Sequence, residues 1–124
     1  AGALAAVERL ASPETRAEVE RKGAMLAEGL GNAAGEVARA AQARTVGLMG
    51  ALEFVSDRRR ETPAADAARR ALGALLRSGV LAIPGGVSGN ALSVLPAYTI
   101  ADRQMESAAD ILTEAVRPQM SCGM

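Results

Sequence analysis

The sequence predicts an α+β fold: a small, mostly antiparallel three-stranded sheet with helices packed on one side. Three observations support this class. Four segments carry apolar residues at helical spacing, three short segments have the dense apolar pattern of strands, and the glycine-rich stretch GGVSGN at residues 85–90 separates the last two strands. Since such a turn joins neighbouring antiparallel strands, we expect a hairpin there.

Two helices are predicted at the start of the chain. Residues 1–11 place apolar side chains on one side of a helix, and Ser12 and Pro13 then supply an N-cap and a first helical residue for the next. Apolar spacing continues to residue 30, after which Gly31 can end this helix. Gly23 lies in its middle at a cost of about 1 kcal/mol relative to alanine, so we expect close packing against a neighbour there.

The apolar stretch ARTVGLMGALEFV predicts a single strand, from about Val46 to Val55, with both faces largely covered. Its expected sides are Val46, Leu48, Leu52 and Phe54 on one and Met49, Ala51 and Val55 on the other. The SDRRRE stretch that follows is expected to be an exposed loop, because three adjacent arginines do not converge easily on one ligand.

The second half of the chain predicts a helix, two strands and a final helix. Thr62 and Pro63 repeat the cap-and-proline signal, and Gly79 can end the helix that follows. The predicted buried stripe of that helix is Ala64, Ala68, Ala71, Leu75 and Leu76. Strands are expected at residues 80–84 and 91–95. A capping box of Thr99 and Asp102 precedes the last helix, whose expected buried face is Met105, Ala109, Leu112 and Val116.

Charge and residue types narrow the functional classes. Fourteen basic and fourteen acidic side chains cancel, so the field expected of a nucleic-acid or anionic-membrane binder is missing. No stretch has the roughly 20 apolar residues of a membrane span, and a cytoplasmic protein is expected.

The sequence has no histidine and one cysteine, Cys122, which leaves carboxylates, arginine, serine and the single lysine, Lys22, for chemistry. The ERK context of Lys22 predicts a solvated surface side chain.

Residues 1–124 are expected to form one domain. Because no capping residue precedes the helix that starts at Ala1, we expect this domain to be the C-terminal part of a longer chain. Residues 118–124 carry no structural motif and are expected to be a disordered tail.

Three stretches in a fixed order resemble the C-terminal small domain of class III pyridoxal-phosphate-dependent aminotransferases, such as 4-aminobutyrate, ornithine and diaminobutyrate aminotransferases. They are RTVGLMGALEFV, TPAADAARRALGALLRSGVLAIPGG and GNALSVLPAYTIADRQMESAADILTEAV. Positions that match the family pattern are Arg44, Gly47, Leu48, Met49, Glu53, Gly79, Gly89, Asn90, Leu95, Pro96, Thr99 and Ile100. Thr45, Ala97 and Tyr98 depart from it.

The resemblance implies a domain of a fold-type I enzyme that closes the substrate cleft. The parent enzyme would be a homodimer that uses pyridoxal 5'-phosphate to transfer an amino group from an amino acid or amine to a 2-oxo acid. The cofactor-binding lysine, the carboxylate for the pyridinium nitrogen and the phosphate cradle would lie in a large domain outside these residues, so no catalytic residue, cofactor-binding residue or metal ligand is expected here. The alternative is a non-catalytic α+β module for ligand binding or dimerisation.

Ser93 is the candidate substrate-binding residue. The resemblance implies that it stands where many members have an arginine that binds the substrate α-carboxylate, a bidentate role that a hydroxyl cannot perform alone. Either Ser93 faces the cleft of an enzyme whose substrate lacks that carboxylate or whose carboxylate is bound by another arginine, or it is a small hydrogen-bonded residue of the sheet. The GGVSG loop before it is expected to be a hairpin connection rather than a phosphate cradle.

Overall fold

The computed structural model describes residues 1–36, 41–56 and 62–117, so the predicted SDRRRE loop from residue 57 onward and the predicted tail at residues 118–124 lie outside the described residues. In chain order the elements are α1 (Gly2–Ala11), α2 (Pro13–Glu36), β1 (Ala41–Val46), β2 (Met49–Phe54), α3 (Ala65–Arg77), β3 (Ile83–Gly85), β4 (Ala91–Val94) and α4 (Asp102–Val116). The α+β class is therefore confirmed.

The sheet has four strands, not the three that the sequence predicts. Its order is β1-β2-β4-β3, and every pair is antiparallel. The apolar run predicted as one strand from Val46 to Val55 is instead the end of β1, a tight turn and β2, with Val46 paired to Met49. Gly47 makes this turn possible, because its φ of 55° lies in the left-handed region that side chains disfavour. The predicted hairpin at residues 85–90 is confirmed, since β3 and β4 flank it and pair.

Helices α2, α3 and α4 cover one face of the sheet. The buried residues of one core cluster come from these helices and from alternate strand positions, among them Leu52, Phe54 and Leu92. Leu26 and Leu30 of α2 lie directly over Gly50 in β2. The prediction that helices pack on one side is thus confirmed, as is the buried side of β2 that carries Leu52 and Phe54. The assignment of Val46 to that side was wrong, because the turn at Gly47 pairs Val46 with Met49 and places both on the other face.

The residues that the four strands place on the opposite face are all half-buried or exposed. We call it the open sheet face, and define it by Gln42, Arg44, Val46, Met49, Ala51, Glu53, Ile83, Gly85, Ala91 and Ser93. Val46 is 79% exposed and Met49 is 62% exposed. The expectation that both faces of the Val46–Val55 segment are covered was therefore wrong for Val46 and Met49, whereas Val55, which bridges Pro63, is buried.

Close backbone packing at Gly23 is confirmed. A Cβ atom added to Gly23 would lie 2.8 Å from the carbonyl oxygen of Gly47, so α2 approaches the β1–β2 turn more closely than any side chain allows. Six residues further along α2, a Cβ atom added to Gly29 would lie 2.8 Å from the Cβ of Ala109 in α4. Small residues therefore set the distances from α2 to both of its neighbours.

The start of α2 is as predicted and its end is not. The Ser12 hydroxyl accepts a hydrogen bond from the Thr15 amide at 3.2 Å, which is the expected N-cap. The helix continues through Gly31 to Glu36. The reason is that Ala33 and Ala34 beyond the glycine are buried in the core, so packing holds the last turns in place.

Two other predicted helix starts were wrong. Pro63 pairs with Val55 in an isolated β-bridge, and the Ala64 amide donates to the Phe54 carbonyl at 3.0 Å, so Thr62 and Pro63 extend the sheet rather than cap α3. The N-cap of α4 is Ala101, whose amide donates to the Gln104 side chain at 3.0 Å in place of the predicted Thr99 box.

The predicted buried faces of α3 and α4 are largely confirmed. In α3 the stripe of alanines and Leu75 is in the core, but Leu76 is 60% exposed. In α4 Met105, Leu112 and Val116 are buried.

Helix α1 contributes no buried residue, and its apolar side chains Leu4, Val7 and Leu10 are 65%, 63% and 56% exposed. Among the described residues no helix combines the length and apolar character that crossing a bilayer requires.

Candidate functional site

Ser93 lies in the middle of the open sheet face. It is in β4, half-buried, and is directly opposite Ala51 of β2 on one side and Ile83 of β3 on the other. Ala51 is in turn opposite Arg44 of β1. The four residues therefore form one row across the sheet, in the order Arg44, Ala51, Ser93, Ile83. We call it the Ser93 row.

The charged residues of this face lie beside the row. Arg44 Nη2 donates to Glu53 Oε2 at 2.7 Å, a diagonal pair between β1 and β2. The Arg44 side chain is 70% exposed and that of Glu53 is 36% exposed. Exposed pairs of this kind contribute about 0–1 kcal/mol to stability, so the fold does not depend on this one. The open sheet face thus presents a guanidinium, a hydroxyl and a carboxylate around the small side chain of Ala51.

A cavity of about 660 Å³ lies on the other side of the sheet, between α2, α4 and the segment after β4. Val94 and Leu95 line it, together with mainly apolar residues of the two helices. Ser93 does not line it, because successive strand residues point to opposite faces. The Ser93 row and the cavity are therefore separate features.

Lys22 is buried, and the prediction that it is a solvated surface residue was wrong. Its side chain is 6% exposed, and Nζ donates to the Tyr98 carbonyl at 2.7 Å and pairs with Glu18 Oε1 at 3.0 Å. The sequence places it in a charged stretch, but the segment that follows β4 crosses over this point of α2. The ammonium thereby ties the segment between β4 and α4 to α2.

Arg21, the neighbour of Lys22, ties the start of α4 to the same place. Its guanidinium makes two hydrogen bonds to Asp102, of 2.9 and 2.8 Å, and two to Glu18, of 3.0 and 2.8 Å. We call Glu18, Arg21, Lys22 and Asp102 the α2–α4 clamp. Asp102 is also well placed for the positive end of the α4 dipole.

Hydrogen bonding within the clamp lowers the pKa of two carboxyl groups. The hydrogen bond from Arg21, followed by that from Lys22, lowers the pKa of Glu18 from its usual 4.5 to about 2. The pKa of Asp102 is lowered as well, mainly by its hydrogen bond to Arg21. Both carboxyl groups are therefore ionised throughout the neutral range.

The turn before β4 is fixed by Asn90. This residue is 3% exposed, its Nδ2 donates to the Phe54 carbonyl at 2.8 Å, and its own carbonyl accepts from the Phe54 amide at 2.7 Å. The loop is followed by β4 and not by a helix, in agreement with the predicted hairpin connection. Asn90 thus sets the register that places Ser93 opposite Ala51.

Sequence reasoning identified Ser93 but not its surroundings. Arg44 and Glu53 were named only as matches to a family pattern, and Lys22 was assigned to the surface. The Ser93 row depends on strand register, which could not be derived without the β1–β2 turn at Gly47. Among the described residues no group of three or more cysteines or acidic residues is arranged to hold a metal ion.

Comparison with known proteins identifies both family and fold. Residues 1–116 match the model of the aminotransferase class-III family. Solved structures with the same fold include a transaminase from the marine bacterium Virgibacillus, at 21% identity and a TM-score of 0.82 over 96% of this chain and 28% of that one. A Bacillus anthracis aminotransferase is 21% identical, with a TM-score of 0.83 over 94% of this chain and 27% of that one.

An aminotransferase from Vibrio fluvialis, in its PMP-bound form, gives 22% identity and a TM-score of 0.82 over 98% of this chain and 27% of that one. The chain therefore spans little more than a quarter of the length of the structures it matches. At these identities the structures establish the fold, and the family match over residues 1–116 establishes the relationship. The chain belongs to the class III aminotransferase family.

Proposed function

We propose that this chain is the C-terminal small domain of a class III aminotransferase and that it closes the substrate cleft with its open sheet face. The observation that carries the proposal is the asymmetry of the sheet: helices cover one face, while the strand residues of the open sheet face, Ser93 and Arg44 among them, are half-buried or exposed. A sheet with one uncovered, half-apolar face is suited to packing against further protein. A chain that spans about 28% of a matched transaminase leaves room for that protein.

The parent enzyme would transfer an amino group from an amino acid or amine to a 2-oxo acid, with pyridoxal 5'-phosphate as the group that carries the amine. The PMP-bound state of the Vibrio fluvialis relative supports this cofactor for the family. The resemblance of the sequence also supports a homodimer, and the balanced charge and short apolar stretches support a cytoplasmic protein that binds neither nucleic acid nor membranes.

The described residues do not by themselves suit the cofactor. An imine requires an accessible amine, whereas Lys22, the single lysine of the chain, is buried and engaged with Glu18 and the Tyr98 carbonyl. The loop at residues 85–90 is a hairpin connection that no helix N-terminus follows. We therefore assign the cofactor site to polypeptide outside this chain and derive no catalytic step from these residues.

Ser93 is proposed to face the substrate in the closed cleft, at the position where many family members have a carboxylate-binding arginine. Its place at the centre of the open sheet face supports this role, since its side chain is directed away from the helices. A hydroxyl there can donate one hydrogen bond to a carboxylate or accept one from an amine.

The test is to express the full-length gene product and assay it with amino donors and 2-oxo acid acceptors. We expect a yellow protein with the visible absorbance of bound pyridoxal phosphate and transamination of at least one donor. A full-length product without cofactor absorbance and without turnover would contradict the proposal.

The second candidate is a non-catalytic interaction module. The exposed apolar side of α1, formed by Leu4, Val7 and Leu10, favours it, because such a surface is suited to a partner. The two candidate functions predict different lengths of the encoding gene. An upstream large domain with a cofactor-binding lysine favours the enzyme, and a reading frame limited to these residues favours the module.

A further inference from the structure

The cavity of about 660 Å³ on the helix side of the sheet is open to solvent and reaches the core, and we call it the α2–α4 cavity. Besides the two helices, residues 78–81 and 94–96 line it. Two of these residues, Leu81 and Leu95, are exposed. Four lining residues belong to the buried core, namely Leu26, Leu30, Met105 and Leu112. The volume lies within the roughly 300–1,000 Å³ that small-molecule sites occupy.

Arg103 is the one charged residue among those described that line this cavity. It is exposed, it lies in the first turn of α4, and no described residue forms an ion pair with it. Its neighbour Asp102 is already bound by Arg21, and the other acidic residues of α4 do not line the cavity. The rim of an apolar cavity therefore carries a positive charge that the described residues leave unneutralised.

The polar groups at the rim suit a carboxylate. Ser107 also lines the cavity, and residues four apart on a helix are neighbours, so its hydroxyl is a second donor beside the Arg103 guanidinium. A carboxylate has one negative charge for this single guanidinium and two oxygens for its planar fork. A phosphate group brings a charge of about −1.5 to −2, which one arginine does not neutralise.

The rest of the lining along α4 suits a hydrocarbon chain. Beyond Ser107 the cavity is lined by Ala108, Ala109, Ile111 and Leu112, all of which are apolar. The helix axis advances roughly 13 Å from Arg103 to Leu112, which is close to the length of an extended decanoate chain. Each methylene that enters such a cavity removes apolar surface from water.

We propose that the α2–α4 cavity binds an apolar monocarboxylic acid, with the carboxylate on Arg103 and Ser107 and the hydrocarbon tail between the two helices. The cavity lies on the opposite side of the sheet from the Ser93 row, so its occupant is not the amino-acid substrate. The inference goes beyond the proposed function and does not depend on it.

The experiment measures binding of three probes to the full-length protein by isothermal titration calorimetry, below their critical micelle concentrations. Decanoate is the expected ligand, decanamide has the same tail without the charge, and octanoate has two methylenes fewer. Hydrogen–deuterium exchange with peptide mass spectrometry locates the bound probe. The variants are Arg103→Gln, which removes the charge, and Ala108→Phe, which fills part of the cavity. The matched control is Arg16→Gln, because Arg16 is an exposed helix residue that does not line the cavity. Circular dichroism checks that each variant is folded.

We expect about one decanoate per chain, with slower exchange in α4 and in the part of α2 that faces it. Decanamide should bind about fivefold to twentyfold more weakly than decanoate, because a charge-assisted contact is lost, and Arg103→Gln should abolish that difference. Octanoate should bind about tenfold more weakly than decanoate, because two buried methylenes are lost. Ala108→Phe should weaken decanoate binding at least about tenfold, since an aromatic ring occupies the volume of the tail. Arg16→Gln should match the wild type.

Equal affinities for decanoate and decanamide, or an affinity that does not depend on tail length, would overturn the inference. So would protection of the open sheet face in place of α4, or the absence of binding. Binding by the 124-residue chain but not by the full-length protein would overturn it as well, because other polypeptide then covers the cavity. None of these results bears on transamination, so the proposed function is tested separately.

Discussion

Replacing Gly23 by alanine should destabilise the protein, although the substitution improves helix propensity. The added Cβ atom would lie 2.8 Å from the carbonyl oxygen, 3.1 Å from the carbonyl carbon and 3.2 Å from the Cα of Gly47. All three are backbone atoms of the β1–β2 turn, so no side-chain rotation can relieve the contact. Helix α2 has to move away from the turn, and with it the buried Lys22 ammonium.

The Gly23→Ala substitution has two effects of opposite sign on the free energy of unfolding. Glycine in a helix interior costs about 1 kcal/mol relative to alanine, which favours the variant. Overpacking a well-packed contact costs about 1–3 kcal/mol, and an unyielding backbone places this contact at the upper end. We therefore expect the free energy of unfolding to fall by about 1–2 kcal/mol. The matched control is Gly31→Ala in the same helix, where an added Cβ has no neighbour within 4 Å. Its free energy of unfolding should rise by about 0.5–1 kcal/mol.

Urea unfolding of the 124-residue chain, followed by circular dichroism, measures both changes. The two variants should shift the midpoint in opposite directions at an unchanged slope, with a separation of about 2 kcal/mol between them. If Gly23→Ala is as stable as Gly31→Ala, the close contact between α2 and the turn at Gly47 does not exist in solution.

Three further predictions concern the clamp and the open sheet face. Lys22→Met should lower the free energy of unfolding by about 1.5–3 kcal/mol, because the Tyr98 carbonyl loses a charge-assisted hydrogen bond; urea midpoints equal to the wild type would contradict this. The pKa values of Glu18 and Asp102 are lower in the folded than in the unfolded chain. The contribution of these two carboxylates to the free energy of unfolding should therefore be fully present above the usual Glu18 pKa of 4.5 and should be lost as the pH falls towards about 2. Glu18→Gln should flatten that decline, and an unchanged pH profile would count against the clamp. In the full-length protein Ser93→Arg should raise kcat/KM for amino-acid donors relative to isopropylamine, and an unaltered donor preference would place Ser93 outside the cleft.

Elements with a regular apolar period could be predicted from the sequence. The N-cap at Ser12 and the buried face of α4 follow from residue spacing and capping chemistry alone. Strand β1 could not be found in the same way. Its sequence AQARTV is an edge strand with few apolar residues, and the turn at Gly47 lies inside a continuous apolar run that reads as one strand.

The candidate site was harder to predict from the sequence than the fold, because it is formed by contacts between residues that are distant in the sequence. Ser93 could be identified because the resemblance assigns its position a role. The row that joins it to Arg44 follows from pairing between three strands, and local spacing carries no information about register. The burial of Lys22 depends on Tyr98, a residue 76 positions further along the chain. An ERK triplet is typical of a solvated helix surface, and only the crossing segment changes that.

The central claim is that these residues close a cleft whose reactive amine belongs to polypeptide outside them. Borohydride reduction of the full-length protein in the presence of pyridoxal phosphate, followed by peptide mass spectrometry, locates the lysine that carries the cofactor. We expect one stoichiometric pyridoxyl-lysine outside residues 1–124 and unmodified Lys22, because its ammonium is buried between Glu18 and the Tyr98 carbonyl. A stoichiometric adduct on Lys22 would contradict the account.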